Sequence, residues 1–224
     1  MDENKPNEKY TFKIIIVGDA SVGKTNITYR FCKGEFINEY QATLGLDYLS
    51  ENRTVDNTFF KLQLWDTAGS ERYRSISKTY YKNSACALVV YDITRKSSFD
   101  NVSGWIEDCK QSGKNIYIIL IGNKDDLSAR EVSNEEGREL AEKYDVKFYE
   151  TSAVNGHNIE EVFIDACKAI NNKIKKGEID LDDISCGVKK LDERDNQNTP
   201  SVKLDNSDQS DGKNNKTHKK KFRC

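Results

Sequence analysis

Three stretches of the chain are apolar almost without interruption: Phe12–Val17, Cys86–Ile93 and Ile116–Gly122. A strand with one wet face alternates. A solid run of this length suits a strand buried on both faces, as in a parallel sheet. Between and after these runs the period changes. Gly23–Cys32 has helical spacing, Ser98–Gly113 reads as a helix, and Ser133-Asn134-Glu135-Glu136 is a capping box opening another helix to about Tyr144. Val146–Glu150 is a short strand. Asn158-Ile159-Glu160-Glu161 opens a last helix, whose stripe of Ile159, Val162, Phe163, Ala166 and Ile170 has core-facing spacing. Residues 48–66 hold two strand-like stretches, and the alternation of Phe59–Trp65 suggests an edge hairpin with one face buried. Strands alternating with helices indicate an α/β fold with a mainly parallel sheet and helices on both faces.

From about Gly177 the pattern stops. Asp, Asn, Lys and Ser dominate, and 177–217 reads as a disordered linker. That tail explains why the whole chain is only 36% hydrophobic and 32% charged. The net charge of −2 offers no basic field for nucleic acid. No apolar run is long enough to span a membrane, and Met1–Lys9 lacks the apolar core of a signal peptide. The six cysteines form no CxxC pair and read as reduced structural residues, Cys224 apart. There are no internal repeats.

The first buried strand ends in Gly18-Asp19-Ala20-Ser21-Val22-Gly23-Lys24-Thr25, which matches G-x-x-x-x-G-K-[ST]. The glycines let backbone N–H groups close around phosphate oxygens, Lys24 brings a positive charge to the β- and γ-phosphates, and Thr25 offers a hydroxyl to Mg²⁺. The helix that begins there points its positive end at the anion, and Asn26 counts with the phosphate site. The loop alone does not choose between ATP and GTP. Asn123-Lys124-Asp125-Asp126 does, because it follows the strand ending at Gly122, where ligands bind in this architecture. The Asp126 carboxylate accepts from both the N1–H and the 2-amino group of guanine. Adenine has neither donor and would leave a buried carboxylate unpaired. Asn123 is placed to tie this loop to the phosphate loop, and the Lys124 stem to lie along the base. Asp66-Thr67-Ala68-Gly69 ends another strand. There Asp66 suits Mg²⁺ through a water, and Gly69 can approach a γ-phosphate. Thr43 would complete the Mg²⁺ shell only when a γ-phosphate is present.

In this order and spacing, GDASVGKT, WDTAG, NKDD and Glu150-Thr151-Ser152-Ala153 resemble the Ras superfamily of small GTPases, and within it the Rab family, over about residues 10–174. Rab-like stretches lie between them: Leu44–Tyr48, Lys61–Trp65, Arg72–Ile76, Tyr80–Lys82 and Val90–Thr94. Tyr40 to Ser50 and LQLWDTAG look closest to the Golgi-associated Rab group. The resemblance implies a P-loop NTPase small G domain at 10–174, with a six-stranded, mostly parallel sheet flanked by about five helices. A flexible extension at 1–9 and a hypervariable tail at 175–224 would flank it. GTP or GDP and Mg²⁺ are the implied ligands. Phe36, Asn123, Lys124, Asp126, Ser152, Ala153 and Val154 would surround the guanine, and Tyr40 would cover the phosphates. Residues 35–48 would be switch I and 66–81 switch II, and Tyr48, Trp65 and Tyr80 an aromatic triad read by effectors. Lys24, Thr43, Gly69 and the residue after it would serve hydrolysis. The γ-phosphate orders both switches and hydrolysis relaxes them. Implied partners are an exchange factor, an activating protein, effectors and a GDI or escort protein. The implied role is a monomeric switch in vesicle-mediated protein transport on the cytoplasmic face of an endomembrane such as the Golgi, cycling with cytosol.

Three positions depart from the pattern. Ser70 stands where the family usually has the glutamine that orients the attacking water, so slow intrinsic hydrolysis is expected. An activating protein that brings its own glutamine and arginine would mask that loss. Ala20 replaces a frequent glycine, and Val154 replaces a common lysine. His157 opens a helix and is assigned no chemistry. The chain ends Lys219-Lys220-Lys221-Phe222-Arg223-Cys224, a basic run before a cysteine, which suggests prenylation of Cys224 with attraction to anionic lipid. Nothing follows Cys224, so this is not C-a-a-X, and the second cysteine usual in Rab tails is missing. Two functional readings stay open: a hydrolysing switch, and a GTP-loaded membrane scaffold that hardly hydrolyses. A P-loop kinase is disfavoured, since no second substrate pocket or lid is evident.

Overall fold

A computed structural model describes residues 6, 8–38, 46–67, 80–112 and 115–191. In chain order the elements are β1 (Glu8–Val17), α1 (Lys24–Lys33), β2 (Leu46–Val55), β3 (Thr58–Thr67), β4 (Cys86–Asp92), α2 (Lys96–Asp100), α3 (Val102–Ser112), β5 (Tyr117–Asn123), α4 (Asn134–Tyr144), β6 (Lys147–Thr151), α5 (Ile159–Lys175) and β7 (Val188–Lys190). The main sheet runs β2-β3-β1-β4-β5-β6. All its neighbours are parallel except β2 and β3. Those two form a hairpin whose turn residues Asp56 and Asn57 take φ of 48° and 60°, the left-handed pair that tight hairpins favour. The fold class is the mixed α/β one expected.

Each apolar run is a central strand with a core on either side. Ile14 and Ile16 of β1 face one cluster with Leu62, Leu64, Leu88 and Val90, roofed by α1 and α5, where Phe31 and Phe163 stack at 3.8 Å. Ile15 and Val17 face the other with Ala87, Val89, Trp105 and Ile106, under α3 and α4. Because neither face meets water, neither tolerates the polar alternation seen in β3.

Two features differ from the sequence reading. The helix read at Ser98–Gly113 is two, broken at Asn101, whose side chain is used elsewhere. The capping box at Ser133 and Glu136 is formed. The last helix opens at Asn158–Ile159 as read, with Asn158 at φ 56° and its side chain donating to the Glu150 carbonyl at 2.8 Å.

The second difference concerns the linker read from 177. Through Leu191 the chain is built into the domain. Ile179, Leu181 and Cys186 lie against the core, a 3-10 turn spans Ile184–Cys186, and Val188 is buried. β7 adds antiparallel to β1, pairing Tyr10, Thr11 and Phe12 with Lys190, Lys189 and Val188, and makes a seventh strand. Residues 192–224 lie outside the described residues.

Candidate functional site

The carboxyl ends of β1, β3, β4, β5 and β6 converge, and the loops leaving them carry the residues singled out by motif. The loop after β1 cannot be built from ordinary residues. A Cβ on Gly18 (φ 139°) would lie 2.1 Å from the Val90 carbonyl oxygen, and one on Gly23 (φ 98°) 2.3 Å from the Asn123 amide nitrogen. Lys24 is buried, and its ammonium donates to the Gly18 and Asp19 carbonyls at 2.9 and 2.8 Å. An ammonium has three protons, so one remains to meet an anion in the loop. Burial lowers this group to about 8, against the opposing pull of Asp66 and Asp19.

Thr25 and Asp66 meet across the site. The Thr25 hydroxyl donates to Asp66 Oδ2 at 2.5 Å, and Asp66 is buried at the end of β3. Paired hydroxyl and carboxylate oxygens are the hard donors that Mg²⁺ takes. Among the described residues no group of three or more His, Cys, Asp or Glu could hold a metal by itself. The pair fits an ion such as Mg²⁺, which takes phosphate and water oxygens beside one or two protein ligands.

The base loops are laced to the phosphate loop. Asn123, buried, donates to the Val22 carbonyl at 2.8 Å and accepts from Thr151 at 3.1 Å. Lys124 pairs with Asp92 at 2.6 Å. Burial would raise the Asp92 carboxyl, but the bonds from Lys124 and Thr94 outweigh it and leave it below its usual range. Asp126 Oδ1 accepts from the Ser152 hydroxyl at 2.7 Å. Ala153 is buried beside it, whereas Val154 is exposed. Phe36 packs against the core edge after α1, and Asn26 Oδ1 accepts from the Ile37 amide at 2.9 Å.

Motif reading missed the clamps that hold these loops. Asp19 accepts from Asn101 at 2.8 Å and from the Trp105 indole at 2.9 Å, and Arg95 donates to the Ala20 carbonyl at 2.7 Å. Arg30 of α1 donates to the Ala153 and Val154 carbonyls at 2.7 and 2.5 Å. A buried indole usually finds an acceptor, but nothing in the sequence says which one.

Away from the phosphate loop, Tyr48 on β2 and Trp65 on β3 are cross-strand partners with rings edge to face at 5.7 Å. Tyr48 is 46% exposed, so it is not a core residue. Lys13 sits 4.1 Å over the Trp65 ring and donates to the carbonyl of Tyr80 at 2.6 Å, which brings all three aromatic positions to one neighbourhood. Tyr40, Thr43, Gly69, Ser70 and Cys224 lie outside the described residues. Compared with known families, the chain matches the model of the Ras family over residues 13–172.

Proposed function

The chain belongs to the Ras family, so it is a small GTPase, a guanine-nucleotide switch of the kind that works with exchange factors, activating proteins and effectors; from that premise we propose that it is a Rab-like member serving vesicle-mediated protein transport. The observation that carries the nucleotide reading is the lacing of Asp126 to Ser152, and of Asn123 to Val22, which makes one unit of a carboxylate able to read guanine and a loop able to hold phosphate.

In this reading Asp126 accepts the guanine N1–H and 2-amino protons. Phe36, Lys124 and the 152–154 loop border the base, while backbone N–H groups of 18–26 and Lys24 hold the phosphates. Thr25 and Asp66 would hold Mg²⁺, joined by Thr43 in the GTP state. Bound there, the ion would neutralise charge on the β- and γ-phosphates. The chain's own groups do the rest. Lys24 draws on the developing charge, Gly69 lets the backbone reach the γ-phosphate, and Ser70 occupies the water-positioning place with too short a side chain. Tyr48, Trp65 and Tyr80 form the effector surface. The basic run and a prenylated Cys224 hold the protein on the cytoplasmic face of an endomembrane, in keeping with a Golgi-type Rab.

Ser70 and Ala20 support a second reading, a scaffold that stays loaded with GTP. Nucleotide released from the purified, denatured protein separates the two. GDP supports a hydrolysing switch and GTP the scaffold, and an adenine nucleotide would overturn the guanine assignment.

A further inference from the structure

His157 belongs to none of the motifs above, yet the fold sets it against the guanine loop. Its Nδ1 meets Oδ2 of Asp125. A carboxylate only accepts, so Nδ1–H donates. The Asp125 side chain is 11% exposed, and this is the hydrogen bond its carboxylate receives. Arg130 lies close enough to feel the Asp125 charge, but its N–H groups go to Glu150 and the Val132 carbonyl.

The consequence follows from the backbone. Asp125 and Asp126 are the two central residues of a turn closed by the Leu127 amide on the Lys124 carbonyl at 3.0 Å. The turn is entered through Lys124 at φ 72°, which a side-chain-bearing residue adopts only when its surroundings impose it. Three contacts fasten the turn to the neighbouring loop. The Asp125 amide donates to Thr151 O at 3.1 Å, Asp126 accepts from Ser152, and Asp125 accepts from His157. His157 is itself fixed, because its carbonyl accepts from the Ser152 amide at 3.2 Å and its amide donates to Asn155 at 2.8 Å. Ser152 therefore touches both ends of the arrangement.

We propose that His157 is a positioning residue for base recognition: by holding Asp125 it sets the turn so that Asp126 presents its carboxylate to guanine. The inference rests on the reading of Asp126 given above. Without the imidazole the Asp125 carboxylate turns toward water and carries the turn with it, and the Asp126 carboxylate loses its aim. The phosphate loop, fastened separately through Asn123, keeps its grip.

Release of GDP and of inosine diphosphate from the full-length protein tests this. Hypoxanthine lacks the 2-amino group and draws less on the aim of Asp126. In His157→Leu, GDP release should quicken roughly tenfold, the worth of one hydrogen bond to a charged group, and the preference for GDP over inosine diphosphate should shrink at least about threefold. His157→Asn keeps a donor at the Nδ1 position and should retain that preference. Equal quickening for both nucleotides, or no quickening, overturns the proposal, as does Asn behaving like Leu. Asp126→Asn is the separate control on the base reading, since a carboxamide donates to the 2-oxo group of xanthine. A preference for xanthosine diphosphate over GDP upholds that reading, and continued preference for GDP overturns it together with the inference.

Discussion

The indole N–H of Trp105 donates to the Asp19 carboxylate at 2.9 Å and so ties α3 to the start of the phosphate loop. That loop holds three positive φ values within six residues, at Gly18, Ser21 and Gly23, and such a conformation persists only when its surroundings hold it. Trp105→Phe keeps most of the ring and removes the donor, which leaves buried Asp19 with Asn101. The expected loss is about 1–3 kcal/mol of stability, read as a lower denaturant midpoint at unchanged slope, with faster GDP release. An unchanged midpoint would mean that the bond contributes nothing.

Ser70 directs the second prediction. Its hydroxyl ends well short of where a glutamine amide reaches. Ser70→Gln should raise single-turnover GTP hydrolysis by roughly ten- to a hundredfold, which corresponds to about 1–3 kcal/mol of transition-state stabilisation. Equal intrinsic rates in the two proteins would sink the slow-hydrolysis reading and with it the case for a GTP-loaded scaffold.

What the sequence made legible was local or periodic. A solid apolar run announces a strand buried on two faces, and glycines at fixed offsets announce a turn that no side chain fits, so β1, β4, β5 and the phosphate loop could be read directly. The capping box at Ser133 was legible for the same reason, since both partners lie within one turn. Contacts between distant residues were not legible. Trp105 finds Asp19, and Arg30 finds the Ala153 carbonyl, only because the sheet order brings them together. The strand at Val188–Lys190 escaped notice because a three-residue strand carries a single inward residue, Val188, and one residue makes no period. His157 carries no sequence signal because its partner is a carboxylate inside another motif.

Lys13 supplies a pH dependence. Half-buried over the Trp65 ring, its ammonium is lowered by burial from 10.5 to about 8. Between about 8 and 10.5 the unfolded chain holds a proton that the folded one has released, so folding stability rises with pH across that window. The advantage is complete above the upper limit and is lost as pH falls through about 8, where the folded protein must carry the charge. Lys13→Met removes the group. The difference in denaturation midpoint between wild type and Lys13→Met should therefore shift in favour of the wild type as pH is raised from 7 to 10. A difference that stays constant over that range would show that Lys13 is not perturbed.

The last prediction concerns the strap that β7 lays along β1. Beside the antiparallel ladder with Tyr10–Phe12, its hold includes the Lys13 amide on the Gly187 carbonyl at 3.1 Å, the Leu191 amide on the Lys9 carbonyl at 2.9 Å, and the burial of Val188 against the core. Gly187, at φ 73°, fits a space where a Cβ would fall 2.5 Å from the Ala85 amide nitrogen and 2.6 Å from the Asn83 carbonyl oxygen. Gly187→Ala therefore forces the strap away from the turn before β4, while Val188→Asp puts a carboxylate into an apolar cluster. Either change should release the strap and leave the nucleotide site intact, because that site is fastened from α1, α3 and β6 instead. Amide exchange at Lys13 and Leu191 should quicken in both variants while exchange at Ile15 and Ile16, held by β3 and β4, stays slow. GDP release should remain that of the wild type. If Lys13 and Leu191 keep their protection in Val188→Asp, the strap is not held by its apolar residue, and the packing account of residues 177–191 fails.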